Sequence, residues 1–314
     1  MPDSIRVAAV QAAPVYLDRD ATVDRVVGLI GEAAAHGAQL IVFGEAFIPG
    51  YPDWAWRTNP WSDGAWFERL REQAVVVPSD ATDRLREAAR AAGAVVAVGI
   101  DERDPHGSTL YNSILYLGDD GEVLGTHRKL MPTGGERLVW GFGDGSDLEV
   151  HDTRFARIGG LICWENYMPL ARAALYGQGL DVYLAPTWDN SDTWIPTLRH
   201  IAKEGRVYGI GVTPCQRGSD VRDAFEGLDA LYGGDDDWLS RGNTAIVGPD
   251  GDVLAGPLVG ETGILYADLD LAAARRDRRM FDPTGHYARP DVFRLTVDAR
   301  VKRPVTFVTD EPAH

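Results

Sequence analysis

Cysteine is nearly absent from this chain: there are two, Cys163 and Cys215, in 314 residues. So few thiols cannot build a disulfide framework, and the composition points to a reducing, cytoplasmic setting. Positive charge is also scarce. Thirty-one Lys and Arg stand against forty-seven Asp and Glu, a formal net charge of −16. A surface this acidic repels phosphate backbones and anionic lipid, which excludes nucleic acid and membranes as expected partners. No apolar run approaches the roughly 18–20 residues of a membrane span. The opening MPDSIRVAAVQAAPVY lacks the basic segment and long apolar run of a secretory signal. No Pro/Ser-rich linker interrupts the chain. It reads as one domain over 1–300, with a polar tail, 301–314, that is extended or disordered.

What is present is an alternation of strand-like and helix-like pieces. Ile5–Ala12 is β-rich, and Asp20–His36 carries Val23, Val26, Val27 and Ile30 at helical spacing. Gln39–Phe47 and Ala94–Ile100 read as strands buried on both faces, with a helix over Ser79–Ala92 between them. Leu110–Leu117 and Glu122–Arg128 flank a hairpin turn at 118–121. The second half repeats the scheme: strand Ala156–Cys163, helix Pro169–Tyr176, strand Asp181–Pro186, helix Thr193–Arg206, strand Tyr208–Pro214. A second hairpin turn at 248–251 follows, then a strand Gly263–Leu269 and a charged helix Leu271–Met280. The alternation indicates α/β, and the hairpins argue against a purely parallel sheet. Gly218–Asp237 holds seven acids against one arginine. It reads as a solvated loop, with a lid or subunit-contact loop as the alternative.

Three polar residues stand at the ends of strands: Glu45 after Leu40–Gly44, Lys129 after Glu122–Arg128, and Cys163 after Ile158–Ile162. Reactive groups collect at the carboxyl ends of strands in α/β sheets. Together the three have a joint use. The carboxylate takes the thiol proton, the thiolate attacks an electrophilic carbon, and the ammonium stabilises the resulting anion. Taken singly each has a plainer reading: Cys163 as a small core residue, Lys129 as a surface charge. Glu45 is the more telling, because a glutamate rarely follows an apolar run unless paired. Tyr51, Trp188 and Trp164 are candidates to line an apolar substrate pocket or to be plain core. His127, His200 and His286 read as members of hydrogen-bond networks, and Cys215 as a structural thiol.

The motifs around these residues resemble the nitrilase superfamily of carbon–nitrogen hydrolases. Phe43-Gly44-Glu45-Ala46-Phe47-Ile48-Pro49-Gly50-Tyr51-Pro52 is similar to its glutamate motif. His127-Arg128-Lys129-Leu130-Met131-Pro132-Thr133 resembles its lysine motif, and Gly160-Leu161-Ile162-Cys163-Trp164-Glu165-Asn166 its cysteine motif. Glu136-Arg137 and Cys-Trp-Glu resemble the nitrilase branch in particular. The resemblance runs from about residue 5 to 297. It implies a four-layer α-β-β-α sandwich with two mixed β-sheets. It also implies a homo-oligomer, a dimer or larger spiral, paired through helices near the cysteine. Pro169–Tyr176 and the 193–206 helix are the candidates for that contact.

The implied reaction converts a small-molecule nitrile to its acid and ammonia, with no metal or organic cofactor. Cys163 is then the nucleophile, Glu45 the base and Lys129 the anion stabiliser. Glu136 bonds Lys129 and helps position substrate, and the Trp164 backbone N–H is a second anion donor. An amidase or N-carbamoyl hydrolase with the same triad, a hydratase that stops at the amide, and a non-catalytic binding member of the fold are the alternatives.

Overall fold

The computed structural model describes residues 1–221, 231, 232, 234, 236–302 and 305. The first half contributes β1 (Ser4–Gln11), α1 (Arg19–Ala35), β2 (Leu40–Val42), α2 (Gly64–Gln73), α3 (Asp80–Ala92), β3 (Val95–Arg103), β4 (Leu110–Leu117) and β5 (Val123–Arg128). The second contributes β6 (His151–Asp152), β7 (Arg157–Gly160), α4 (Pro169–Tyr176), β8 (Val182–Pro186), α5 (Trp194–Gly205), β9 (Tyr208–Val212), β10 (Cys215–Arg217), β11 (Trp238–Arg241), β12 (Thr244–Val247), β13 (Val253–Leu258), β14 (Gly263–Asp270) and α6 (Leu271–Asp277).

One six-stranded sheet runs β14-β1-β2-β3-β4-β5 and the other β13-β12-β9-β8-β7-β6. Each has a parallel centre, β1-β2-β3 and β7-β8-β9, with antiparallel strands outside it. Side chains alternate across a strand. Val7 and Ala9 of β1 therefore face Val182, Leu184 and Ile210 of the other sheet. Ala8 and Val10 face the opposite way, against α1 and α3. Helices α4 and α5 cover the outer face of the second sheet with Leu175, Trp194, Leu198 and Ile201. The result is the expected four-layer α-β-β-α sandwich with two mixed sheets.

Several boundaries differ from expectation. The strand expected over Gln39–Phe47 ends at Val42. The chain then crosses over β3, where a Cβ on Gly99 would collide with the Gly44 carbonyl oxygen. Ala46 takes a left-handed φ of 45° at this crossing. The strand expected to reach Cys163 ends at Gly160, and a 3-10 turn, Cys163–Tyr167, begins at the thiol. Helix α2 has no counterpart in the sequence reading. The acidic stretch 218–237 hangs from the β10–β11 pair, where Arg217 is opposite Trp238. Residues 222–230, 233 and 235 of that reading lie outside the described residues, as do 303, 304 and 306–314 of the tail. The stretch is not wholly solvated: Val221 and Tyr232 are buried, and Arg57 stacks over the Tyr232 ring at 5.0 Å.

Candidate active site

Glu45, Lys129 and Cys163 come from loops just beyond β2, β5 and β7, and they meet. Lys129 follows β5 directly, and its backbone N–H donates to the Asn112 carbonyl at 2.8 Å. Its ammonium donates to Glu45 Oε1 at 2.9 Å and to Glu136 Oε2 at 2.7 Å. Reactive atoms of Glu45, Glu136 and Cys163 lie within 4.8 Å of one another. Such a group could in principle hold a cation, but the Lys129 ammonium already supplies the positive charge there.

Both oxygens of Glu45 are held in place. Oε1 also accepts from Asn112 Nδ2 at 2.7 Å, and Oε2 accepts from the Trp188 backbone N–H at 2.6 Å. Glu136 accepts from the Tyr51 hydroxyl and the Thr133 N–H, both at 2.7 Å, besides Lys129. The expected bond between Glu136 and Lys129 is therefore present, and Tyr51 reaches the site through Glu136. Burial raises the Glu45 carboxyl, and the Lys129 charge opposes that rise. Burial also pushes the Cys163 thiol well above its usual range, helped by Glu45 and opposed by Lys129. Burial works against the Lys129 ammonium, but the negative groups around it prevail and hold it protonated.

Cys163 sits at a left-handed φ of 55°, a conformation that costs a non-glycine residue about 1–3 kcal/mol and recurs at functional sites. Asn166 steadies it: its buried amide donates to the Leu161 and Cys163 carbonyls at 2.9 and 2.8 Å. Glu165 ties the cysteine loop to the lysine loop. It accepts from Ile162 N–H and Leu130 N–H, both at 2.8 Å, and from His127 Nε2 at 3.0 Å. A thiol beside a carboxylate base and an ammonium can form and protect a covalent adduct. The first N–H groups of a 3-10 turn have no partner within the turn, so Trp164 N–H is available to an anion beside Cys163.

The thiol opens onto a cleft of about 810 Å³. Tyr51, Trp56, Trp164 and Trp188 line it, with Asp189 and Arg137. Tyr51 and Trp188 stack at 4.4 Å with an interplanar angle of 7°. Trp164 is more exposed than a pocket wall requires: its indole lies at the mouth and donates to Asp189 Oδ2 at 3.0 Å. His127 is networked between Glu165 and Asp147. His200 bonds Glu204 at 3.0 Å, whereas His286 packs beside Tyr287. Cys215 is buried away from this group, its thiol pushed up to about 11 by burial.

Sequence reading missed Asn112, Glu165 as a clamp, and Trp56. Asn112 did leave a signal: it is a polar residue inside the apolar run Leu110–Leu117. In the sequence Glu165 is visible only as a member of the cysteine motif.

The sequence from 6 to 279 matches the carbon-nitrogen hydrolase family model. The chain belongs to the carbon–nitrogen hydrolase family. It is 46% identical over 307 residues to an aliphatic nitrilase of Sinorhizobium fredii, covering 96% of this chain and 97% of that one. It is 40% identical to a bifunctional nitrilase/nitrile hydratase of Nicotiana tabacum, covering 98% and 89%. In fold it is similar to a carbon-nitrogen hydrolase from Helicobacter pylori G27, with a TM-score of 0.71 at 21% identity over 93% of this chain and 97% of that one. A Saccharomyces cerevisiae member of branch 10 of the nitrilase superfamily superposes with a TM-score of 0.72 at 22% identity, over 91% and 97%. The Glu-Lys-Cys group of this hydrolase thus lies within the matched region.

Proposed function

We propose that this hydrolase is a nitrilase, converting R–C≡N and two waters to R–COOH and ammonia. The observation that carries the reading is the buried ammonium of Lys129, bonded to Glu45 and Glu136 beside the Cys163 thiol at the floor of an aromatic cleft. Kinship with proteins named nitrilases supports it.

In this reading Cys163 Sγ adds to the nitrile carbon while its proton passes to Glu45. Lys129 gives the nitrogen a proton and regains one from Glu45, which yields the thioimidate and restores the carboxylate. Lys129 and the Trp164 N–H face the nitrogen as negative charge develops there. Glu45 then deprotonates a water that adds to the same carbon. The C–N bond breaks, ammonia leaves and a thioester remains. A second water, again activated by Glu45, cleaves the C–S bond to release the acid and restore the thiol. Glu136, held by Tyr51 and Thr133, fixes Lys129 and borders the substrate. Tyr51 and Trp188 wall the cleft, and Trp164 stands at its mouth. The working form is a single hydrolase domain in a homo-oligomer, acting in the reducing cytoplasm.

The test is a nitrile panel with matching amides, scored for ammonia, acid and amide. Ammonia and acid from nitriles but not from the amides is the expected result. Turnover of amides alone would replace the reading with an amidase. Accumulation of amide would make it a hydratase, because the tetrahedral species would then lose sulfur rather than nitrogen. No product from any substrate by the folded protein would remove the catalytic reading.

A further inference from the structure

Three donors hold Glu45, and one of them leaves an unbalanced account. Asn112 Nδ2 donates to Glu45 Oε1 at 2.7 Å, yet Asn112 Oδ1 is buried with no partner among the described residues. Asp101 Oδ2 is in the same condition. Asp101 is fully buried on β3, and its register partner on β4 is Asn112. Directly opposed residues of antiparallel strands put their side chains next to each other on one face. Asp101 Oδ1 is already engaged, accepting from the Trp140 indole N–H at 2.7 Å.

The Asn112 amide cannot turn round to resolve this. Its nitrogen faces a carboxylate oxygen, which accepts only, and its carbonyl would be repelled there. Two buried, unpartnered acceptors therefore belong to directly opposed residues on one face of the β3–β4 pair, and the large majority of buried polar groups in folded proteins are paired. A proton between them satisfies both, and Asp101 is the member able to carry it.

We infer that Asp101 is a protonated acid that donates to the Asn112 carbonyl and so aims the Asn112 amide at Glu45. Burial pushes the Asp101 carboxyl well above the usual carboxylate range; the Trp140 bond opposes this and the Glu45 charge adds to it. Among the described residues no Lys or Arg pairs with Asp101, and the titratable groups facing it are Glu45 and the Tyr16 phenol. An ionised Asp101 would set a third negative charge beside Glu45 and Glu136, with Lys129 alone to balance them. Kept neutral, it is a positioning residue. It fixes Asn112 toward Glu45, and it fixes Trp140, whose ring lies 5.8 Å from the Lys129 ammonium.

The functional meaning of this inference rests on Glu45 acting as the base, but its primary test does not involve turnover. The infrared difference spectrum between the wild-type protein and Asp101→Asn at neutral pH reads the protonation state directly. The expected difference is the loss of one carbonyl band of a protonated carboxylic acid. Loss of carboxylate bands instead would overturn the inference, whatever the enzyme does to nitriles. Activity then tests the positioning role. Asn at 101 can donate to Asn112 Oδ1 and accept from Trp140, so ammonia release should stay within about twofold of wild type. Asp101→Leu strands both partners, and kcat should fall about 10- to 100-fold with KM little changed. An Asp101→Asn variant as impaired as a folded Asp101→Leu would overturn the positioning role. A wild-type protein inactive on every nitrile would overturn the proposed function while leaving the infrared result standing.

Discussion

Cys163 joins two properties that oppose each other. Its backbone is held in a strained left-handed conformation where its side chain lines the cleft, while burial and the neighbouring Glu45 hold its thiol protonated. Such a thiol is inert until a base takes its proton as the sulfur attacks. Glu45→Gln removes that base and leaves an amide facing three donors that it cannot all satisfy. Ammonia release should drop by about 10²–10⁴, measured on a variant whose circular dichroism matches wild type. Cys163→Ala should show no turnover and no covalent adduct by mass spectrometry. A near-normal rate in either variant would remove that residue from its role. These residues were legible in the sequence because each is polar at the end of an apolar run. Asp101 and Asn112 were not, because their significance is a cross-strand register that no local pattern states. Tyr51 was legible only as an aromatic residue, since its hydroxyl finds Glu136 eighty-five positions away.

At the scale of elements, the site depends on two loops held at a fixed spacing. Glu165 bonds both, and His127 supplies its counter-charge. Burial opposes charge on His127, but Glu165 and Asp147 outweigh it and push the imidazole up to about 10 from 6.5. A folded-state value above the unfolded one stabilises the protein fully below about pH 6.5, and that stability is lost as pH rises toward 10. Urea unfolding should therefore show stability declining between these two values. His127→Gln should lower stability near neutrality by about 3 kcal/mol, because it leaves a buried carboxylate without its cation. It should also flatten the alkaline decline; an unchanged slope would exclude His127 as its source. Element boundaries explain why this clamp was hidden. The strands were expected to run straight into Glu45 and Cys163. Instead each ends three positions before its site residue, at Val42 and Gly160. The intervening backbone turns through left-handed positions at Ala46 and Cys163, which residue type does not announce. Helix α2 escaped for another reason: only Leu70 of its ten residues is buried, so it carries little apolar rhythm.

For the whole molecule, apolar strands buried on both faces told of layers but not of which sheet packs on which. The pairing of two similar half-sandwiches emerges only from the shared core between them. The outer layers are unequal in what they leave uncovered. Around α4, Trp164, Tyr167 and Leu170 are exposed, with Leu170 at 67%. Exposed apolar residues grouped on one face can serve as a contact surface, and the family resemblance implies subunit pairing near this helix. The face is wired to the thiol. Arg172 of α4 forms a two-bond pair with Glu204 of α5 and donates to the Asn166 carbonyl at 2.6 Å, and Asn166 holds the Cys163 carbonyl. Leu170→Asp would bury an unpaired charge in any such contact, at a cost of several kcal/mol. Sedimentation equilibrium should show the wild-type chain as a multimer of its 34.3 kDa and the variant at a smaller mass. The variant's kcat should fall with the dissociation while its unfolding midpoint in the separated form stays close to wild type, since Leu170 supports little within its own subunit. An unchanged mass would place the contact elsewhere, and a monomeric wild type would remove the homo-oligomer altogether.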